Sequence, residues 1–206
     1  MLTRRILLKL TGAATVLAAL GPLLATPARA DTAQQAAAFV RSTGDALVAV
    51  VNGPGSPADK RRQLQQVIDA NVDVDEIARF CLGRFWHQAT PEQQKQYVSL
   101  FHDVLLNNIT AKLGEYQGVR FEMGRAQERE DTVVVSTTVE RPNNPPTQVD
   151  WIVSGASGHP KIIDVVAEGT SLRLTQRSDY ASYLSRNGNN VNALIEAMRH
   201  QVAQNG

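Results

Sequence analysis

The sequence has only one cysteine, Cys81. A single thiol excludes a disulfide within the chain and any metal cluster held by several cysteines. An excess of charge of either sign is also lacking, because the 21 Lys and Arg are nearly balanced by 20 Asp and Glu. The formal net charge is +1. Without a basic run or a strongly basic balance, the sequence gives no support to nucleic-acid binding.

The common motifs of catalysis are missing as well. No G-x-G-x-x-G, G-x-x-x-x-G-K-[ST], G-x-S-x-G or H-E-x-x-H occurs, which weighs against nucleotide-binding proteins, hydrolases and zinc enzymes. Cys81 lies on an apolar helix face, where it is interpreted as a small buried hydrophobe. We therefore predict no catalytic residue, no metal and no cofactor. The four histidines are spread over separate predicted elements, at His87, His102, His159 and His200.

The first 30 residues have the pattern of a secretory signal peptide. Arg4 and Arg5 precede an apolar stretch, and Ala28-Arg29-Ala30 forms an A-x-A cleavage site. The stretch, at roughly 15 residues, is shorter than the about 20 that span a bilayer. Both Sec and twin-arginine signals contain paired arginines, so the export route stays open. We expect residues 1–30 to be removed and residues 31–206 to form a single domain.

Hydrophobic periodicity predicts helices before and after a strand-rich middle. The clearest helix start is Thr90-Pro91-Glu92-Gln93, where an N-cap, a proline and the Gln of a capping box are in register. From Gly118 the apolar period falls to two, which predicts an antiparallel meander and an α+β fold. Helices are expected at 33–51, 57–71, 73–83, from 91 onward, 178–185 and 191–202, and four strands at 119–123, 132–139, 148–153 and 161–166.

Several segments, in their order and spacing, resemble the MlaC family. They are IARFCLGRFW at 77–86, ATPEQ at 89–93 with Phe101 downstream, VDW at 149–151, KIIDVVAEGTSL at 161–172 and TQRSDYAS at 175–182. The resemblance implies a twisted antiparallel four-stranded sheet wrapped by N- and C-terminal helices, with an apolar pocket between sheet and helices. It also implies a soluble periplasmic lipid carrier without catalysis, auxiliary to an ABC transporter. The same residues also resemble HpnM, a hopanoid-associated branch of the family. The resemblance therefore implies either a phospholipid or a hopanoid as the ligand.

A lipid carrier needs an apolar slot, because exposing one acyl chain of about sixteen carbons to water costs on the order of 12 kcal/mol. We expect the slot to be lined by the inward residues of the sheet and by one facing helix. Strand parity is not determined by the sequence, and an error of one residue exchanges the two faces. The candidates are Val133, Val135, Trp151, Val153, Val165 and Val166 on the strands, and Phe101, Leu105 and Ile109 on the helix.

Handover of a lipid requires docking to an inner-membrane ABC transport complex and to an outer-membrane lipoprotein complex. Arg84, Lys95 and Arg177 are candidates for that surface. No buried cationic clamp for phosphate is expected. Two other hypotheses stay open: a small α+β enzyme with a His or carboxylate inside a cavity, and an adaptor whose helices pack on the sheet without a void.

Overall fold

A computed structural model describes residues 27–155 and 158–205 of the chain. The expected signal peptide lies outside these ranges apart from its last four residues, which start the first helix. Within the described ranges, no helix combines the length and the apolar character needed to cross a membrane.

The described residues form six helices and five strands, and two short 3-10 helices at Gly83–His87 and Leu113–Tyr116. The helices are α1 Pro27–Asn52, α2 Pro57–Asn71, α3 Val74–Leu82, α4 Pro91–Lys112, α5 Leu172–Arg186 and α6 Val191–Asn205. The strands are β1 Arg120–Arg129, β2 Thr132–Glu140, β3 Thr147–Ser154, β4 Lys161–Ala167 and β5 Thr170–Ser171.

Helix α4 begins where its sequence predicts. The backbone N–H of Gln93 donates to Thr90 Oγ1 over 3.2 Å, and the Thr90 N–H donates to Gln93 Oε1 over 2.8 Å. The capping box satisfies two backbone donors that a helix start otherwise leaves unpaired. Ser56 and Asp59 form the same reciprocal pair at the start of α2.

The sheet is antiparallel throughout, with the strand order β1-β2-β3-β4-β5. The prediction of an α+β fold is confirmed, but the sheet has a fifth strand that the sequence did not indicate. Glu168 and Gly169 both have positive φ, as the two-residue turns of tight hairpins require. This turn returns the chain at once, so that Ser171 pairs with Val166. A strand of two residues is too short to show periodicity.

Two further boundaries differ from the predictions. Strand β1 continues to Arg129, because a register shift between Met123 and Ala126 interrupts its alternation without ending the pairing with β2. Helix α5 begins at Leu172, six residues before the predicted start, and Ser171 is its N-cap.

Most buried apolar residues form one cluster between the helices, which we call the helical cluster. Phe101 and Tyr180 meet edge to face with ring centroids 6.3 Å apart, and Tyr97 packs on both rings. The Tyr97 hydroxyl donates to the carbonyl of Ala78 over 2.9 Å, so its polar end is satisfied. The helical cluster also contains Val50, Leu64, Ile68, Cys81, Leu82, Phe85, Val104, Leu106, Leu184, Leu194, Ile195 and Met198.

A second, smaller cluster lies between α1 and the sheet, and we call it the sheet cluster. Its buried members are Ala36, Val40, Val133, Val135 and Val153. Partly buried Phe39, Met123 and Trp151 pack around them.

The sheet is attached to the helices at strand β4. Val72, between α2 and α3, forms a parallel bridge with Ile162, and the Asp73 N–H donates to the Ile162 carbonyl over 3.0 Å. Lys161 Nζ donates to the carbonyl of Ala70 over 2.7 Å. These hydrogen bonds to the main chain fix β4 beside the helical cluster.

Candidate functional site

Helix α1 is the element that contacts both apolar clusters. Ala36 and Val40 belong to the sheet cluster, whereas Leu47 and Val50 pack with the helical cluster. These positions are three, four or seven residues apart, which places them on one face of the helix. Thr43 occupies the same face between the two sets and is 4% exposed. It marks the boundary between the clusters on α1.

A close backbone approach holds α1 against strand β1. A Cβ atom built on Gly44 would lie 2.5 Å from the ring of Phe121, well inside van der Waals contact. Only glycine allows the ring to lie this close to the helix. The contact fixes α1 next to Thr43, beside the sheet.

The sheet face under α1 is built from small apolar side chains. Val135 pairs with Trp151, and Val133 pairs with Val153, so all four side chains share one face. Trp151 also pairs with Val165, which extends this face to β4. The Trp151 Nε1–H donates to Thr137 Oγ1 over 2.9 Å, so the indole presents its apolar surface with its polar atom satisfied.

Val166 does not share the face of the other predicted wall residues. It pairs with Asp150, the neighbour of Trp151, and successive residues of a strand point to opposite faces. The expectation that Val165 and Val166 both point inward was therefore wrong for one of the two. Only Val165 lies on the same face as Val135.

The expected position of α4 opposite the sheet wall is also wrong. Phe101 is buried in the helical cluster, and Leu105 packs against the same cluster. Ile109 is 36% exposed on the surface of the molecule. The stripe of α4 packs on α6, α3 and α2, so α1 is the helix that covers the wall.

The three predicted docking residues are all exposed, and Arg177 packs beside Gly83, the neighbour of Arg84, whereas Lys95 lies on another helix. Arg177 packs over the ring of Phe80 at 4.8 Å, and Arg84 over the ring of Phe85 at 4.9 Å. Both guanidinium groups are thus held near aromatic rings at the junction of α3 and α5. Lys95 lies on α4, where it lines a shallow polar depression of about 290 Å³ with Glu92 and Arg199.

Cys81 is inert in the structure, as the sequence indicated. It is 2% exposed in the helical cluster, and burial raises the pKa of its thiol to about 12. The nearby Asp164 carboxylate acts in the same direction. The thiol is therefore protonated at neutral pH, so it is not a nucleophile there.

The chain belongs to the MlaC family. The family model described as MlaC protein matches residues 32–200, which confirms the resemblance found in the sequence. Toluene tolerance protein ttg2D of Pseudomonas putida is 24% identical over 144 residues. That alignment covers 68% of this chain and 66% of the relative, so the chain spans about two thirds of the relative's length.

A solved structure of a phospholipid-binding protein from Ralstonia solanacearum, in complex with a phospholipid, has the same fold. The TM-score is 0.73 at 27% sequence identity, and the match covers 82% of this chain and 97% of that one.

One buried carboxylate of this MlaC chain was missed by the sequence analysis. Asp164 on β4 accepts hydrogen bonds from Ser171 Oγ over 2.5 Å and from the Arg173 N–H over 3.1 Å. The side chain of Arg173 approaches the same carboxylate at 3.5 Å. An acidic residue inside an apolar strand was the available signal. Because its partners belong to the start of α5, its role is to attach that helix to the sheet.

Three further polar atoms were also missed. Thr43 Oγ1, Asn107 Nδ2 and Asp150 Oδ1 are buried and have no hydrogen-bond partner among the described residues. Leaving such a group unpaired in a protein interior costs about 1–3 kcal/mol. The signal for Thr43 was a hydroxyl at a position where the spacing of α1 calls for an apolar residue.

Proposed function

We propose that this chain is a periplasmic carrier that binds a phospholipid and moves it between an inner-membrane ABC transport complex and an outer-membrane lipoprotein complex. The observation that carries the proposal is the likeness to the Ralstonia solanacearum protein, whose structure contains a phospholipid. The signal-like pattern of residues 1–30 supports export. Binding and release suffice for this function, so the proposal includes no catalytic step.

The acyl chains would bind against the sheet face under α1. Val133, Val135 and Val153 provide a wall without polar atoms, and Trp151 and Val165 extend it. Each CH₂ group removed from water contributes about 0.8 kcal/mol, so a wall of this kind can offset the cost of extracting a lipid from a membrane. Entry of the chains requires α1 to move away from the sheet.

Leu105 and Ile109 of α4 do not face this wall, so they would contact acyl chains only where these reach past the sheet cluster toward the helical cluster. Both are partly exposed and lie on the last turns of that helix, beyond the rings of the helical cluster. Phe101 supports them from within the cluster. In this arrangement Val166, on the opposite face of the sheet, supports β4 from behind.

Analysis of co-purified lipid tests the binding proposal. Protein purified without detergent is extracted with organic solvent, and the extract is analysed by mass spectrometry. We expect a diacyl phospholipid in near-stoichiometric amount. Recovery of a hopanoid would replace the phospholipid by the ligand of the related branch, and folded protein without any lipid would overturn the carrier function.

The proposed position of the acyl chains is tested by a substitution that fills the space beside the sheet wall. Val135→Phe places a larger side chain in the sheet cluster, and we expect it to lower the amount of bound phospholipid several-fold because the chains lose space. Val134→Phe is the matched control, since Val134 neighbours Val135 on β2 but points to the opposite face. Equal lipid contents in the two folded variants would place the acyl chains elsewhere.

Docking is tested separately from binding. With fluorescent phospholipid and reconstituted inner-membrane complex, substitution of Arg84, Lys95 or Arg177 by alanine should slow transfer while the lipid content stays unchanged. Exposed charges act mainly on the rate of encounter, so the effect should weaken as salt is added. An unchanged transfer rate in all three variants would remove these residues from the docking surface.

A further inference from the structure

Thr43 differs from other threonines in the helices of this chain. The hydroxyl of Thr110 donates to the Leu106 carbonyl over 2.7 Å, and that of Thr175 to the Ser171 carbonyl over 2.9 Å. Such bonds to the carbonyl four residues earlier are the usual local partner for a helical threonine. The hydroxyl of Thr43 has no such bond, nor any other partner within the described residues.

Asn107 on α4 has a free donor of the same kind. The residue is 3% exposed, and its Oδ1 accepts a hydrogen bond from Arg61 of α2. Because the oxygen faces the guanidinium group, the Nδ2 atom is the end of the amide that is left unpaired. A hydroxyl and an amide N–H can both donate. A group that carries acceptor oxygens can therefore satisfy both.

A hydrogen bond links the C-terminal ends of the two helices that carry these donors. Gln117, just after the 3-10 helix that follows α4, donates to the Val51 carbonyl of α1 over 2.7 Å. Thr43 precedes Val51 by about 12 Å of helix, and Asn107 precedes Gln117 by about 15 Å of helical chain. Helix α2 packs against both α1 and α4.

The position of Thr43 on α1 also agrees with the change from apolar chains to polar atoms along a lipid molecule. On one side along α1 lie Ala36 and Val40, which contact the proposed wall for acyl chains, and on the other lie Leu47 and Val50. A lipid with its chains against the sheet cluster has its first polar atoms where the chains end. On α1 the sheet cluster ends at Thr43.

We propose that the Thr43 hydroxyl and the Asn107 amide donate hydrogen bonds to acceptor oxygens of the bound lipid, either ester carbonyls or phosphate oxygens. The inference rests on the proposed carrier function and adds to it a polar subsite inside an otherwise apolar site. It also gives the site a preference, because a ligand made only of hydrocarbon leaves both donors unpaired.

The decisive variant is Thr43→Val, which keeps the side-chain shape and removes the donor. Asn107→Leu removes the second donor but also the Oδ1 that accepts from Arg61, so its binding is compared only if its melting temperature is close to that of the wild type. Thr110→Val is the matched control, because its hydroxyl is already bonded within α4. Full-length mature protein is loaded from vesicles of either a diester phosphatidylethanolamine or its diether analogue, and bound lipid is counted by mass spectrometry. We expect Thr43→Val and Asn107→Leu each to weaken binding of the diester lipid about three- to tenfold, and the control to leave it unchanged.

The two lipids distinguish the source of the oxygen. A loss confined to the diester lipid assigns the donors to ester carbonyls, which the diether analogue lacks, whereas an equal loss for both lipids assigns them to phosphate. Melting temperatures identify any variant that fails to fold, and Thr43→Val should melt at the same temperature as the wild type or higher.

If the wild type binds both lipids and Thr43→Val and Asn107→Leu bind them as well as the control does, the polar subsite is wrong and the carrier function stands. If the folded wild type binds neither lipid, both proposals are overturned.

Discussion

The helical cluster and the sheet cluster are built in different ways. The helical cluster has 19 buried residues, all but Ala89 from the six helices and a short 3-10 helix, and its aromatic rings pack around Tyr97. The sheet cluster has five, none larger than valine, and a single helix covers it. Since buried apolar area stabilises roughly in proportion to its size, the larger cluster carries most of the stability. The smaller one is the part that can open at low cost.

The reactivity of buried thiols should show the largest difference between the clusters. With a pKa of about 12 in place of 9.0, Cys81 has about a thousandfold less thiolate at pH 8, so it should resist alkylation in folded protein and react in urea. A cysteine introduced by Val153→Cys in a Cys81→Ser background should react faster in lipid-free protein and be protected by bound phospholipid. Equal protection of both thiols without lipid would show that the sheet cluster does not open.

The same pKa shift gives stability a defined dependence on pH. The unfolded thiol loses its proton near pH 9, whereas the folded thiol keeps it up to about pH 12. Stability from this group is therefore complete below about pH 9 and is lost as the pH rises toward 12. Urea unfolding of wild type and Cys81→Ser across this range measures the difference, and parallel curves would contradict the assignment.

Truncation of a buried side chain should cost more in the helical cluster. Leu184→Ala, at a fully buried position of α5, should lower the free energy of unfolding by about 2–5 kcal/mol because a cavity remains. Val135→Ala removes fewer atoms from a cluster that α1 can close by a small shift, and we expect a smaller loss. Urea denaturation measures both, and a larger loss for Val135→Ala would reverse the comparison.

The capping box of α4 should contribute less than the cluster it supports. Thr90→Ala removes the acceptor for the Gln93 N–H and should cost about 1 kcal/mol in unfolding free energy. Ser99→Ala is the control, because Ser99 is exposed within the same helix and alanine is the better helix former. If Thr90→Ala lowered the unfolding free energy by less than Ser99→Ala does, water would replace the cap hydrogen bond without loss of stability.

The smallest expected effect concerns the indole of the sheet cluster. Trp151→Phe removes the hydrogen bond to Thr137 Oγ1, which keeps its own bond to the Val149 carbonyl. We expect a loss of about 0.5–1.5 kcal/mol in thermal or urea unfolding. Phospholipid binding should persist, because the ring still covers the wall, and a complete loss of binding would give the indole N–H a direct role.

Local signals predicted much of this fold. The capping residues Ser56 and Thr90 act within four residues of the chain, and both helix starts were found where the sequence placed them. The alternation of Val133 and Val135 likewise identified β2. By contrast, the first turns of α5 were missed, because Leu172 and Leu174 are 54% and 56% exposed and break the apolar spacing.

The partner of the sheet wall was not predictable from the same signals. Helices α1 and α4 both have an apolar stripe, and a stripe does not state which surface it will cover. The choice depends on long-range contacts: Gly44 of α1 admits the ring of Phe121, while Phe101 of α4 packs on Tyr180 near the other end of the chain. The residues of the proposed polar subsite, Thr43 and Asn107, were not predictable from the sequence. Whether a buried polar atom has a hydrogen-bond partner depends on how distant segments pack.

The attachment of β4 to Val72 and Asp73 means that the two sides of the sheet are held unequally. At β4 the sheet is held by hydrogen bonds to main-chain atoms, and at β1 it is held by apolar packing against α1. Amide protons of β4 should therefore exchange with solvent far more slowly than those of β1 whenever α1 moves. A hydrocarbon chain in the sheet cluster has the fixed strand β4 on one side and the movable helix α1, beside β1, on the other. We therefore expect it to enter and to leave on the β1 side.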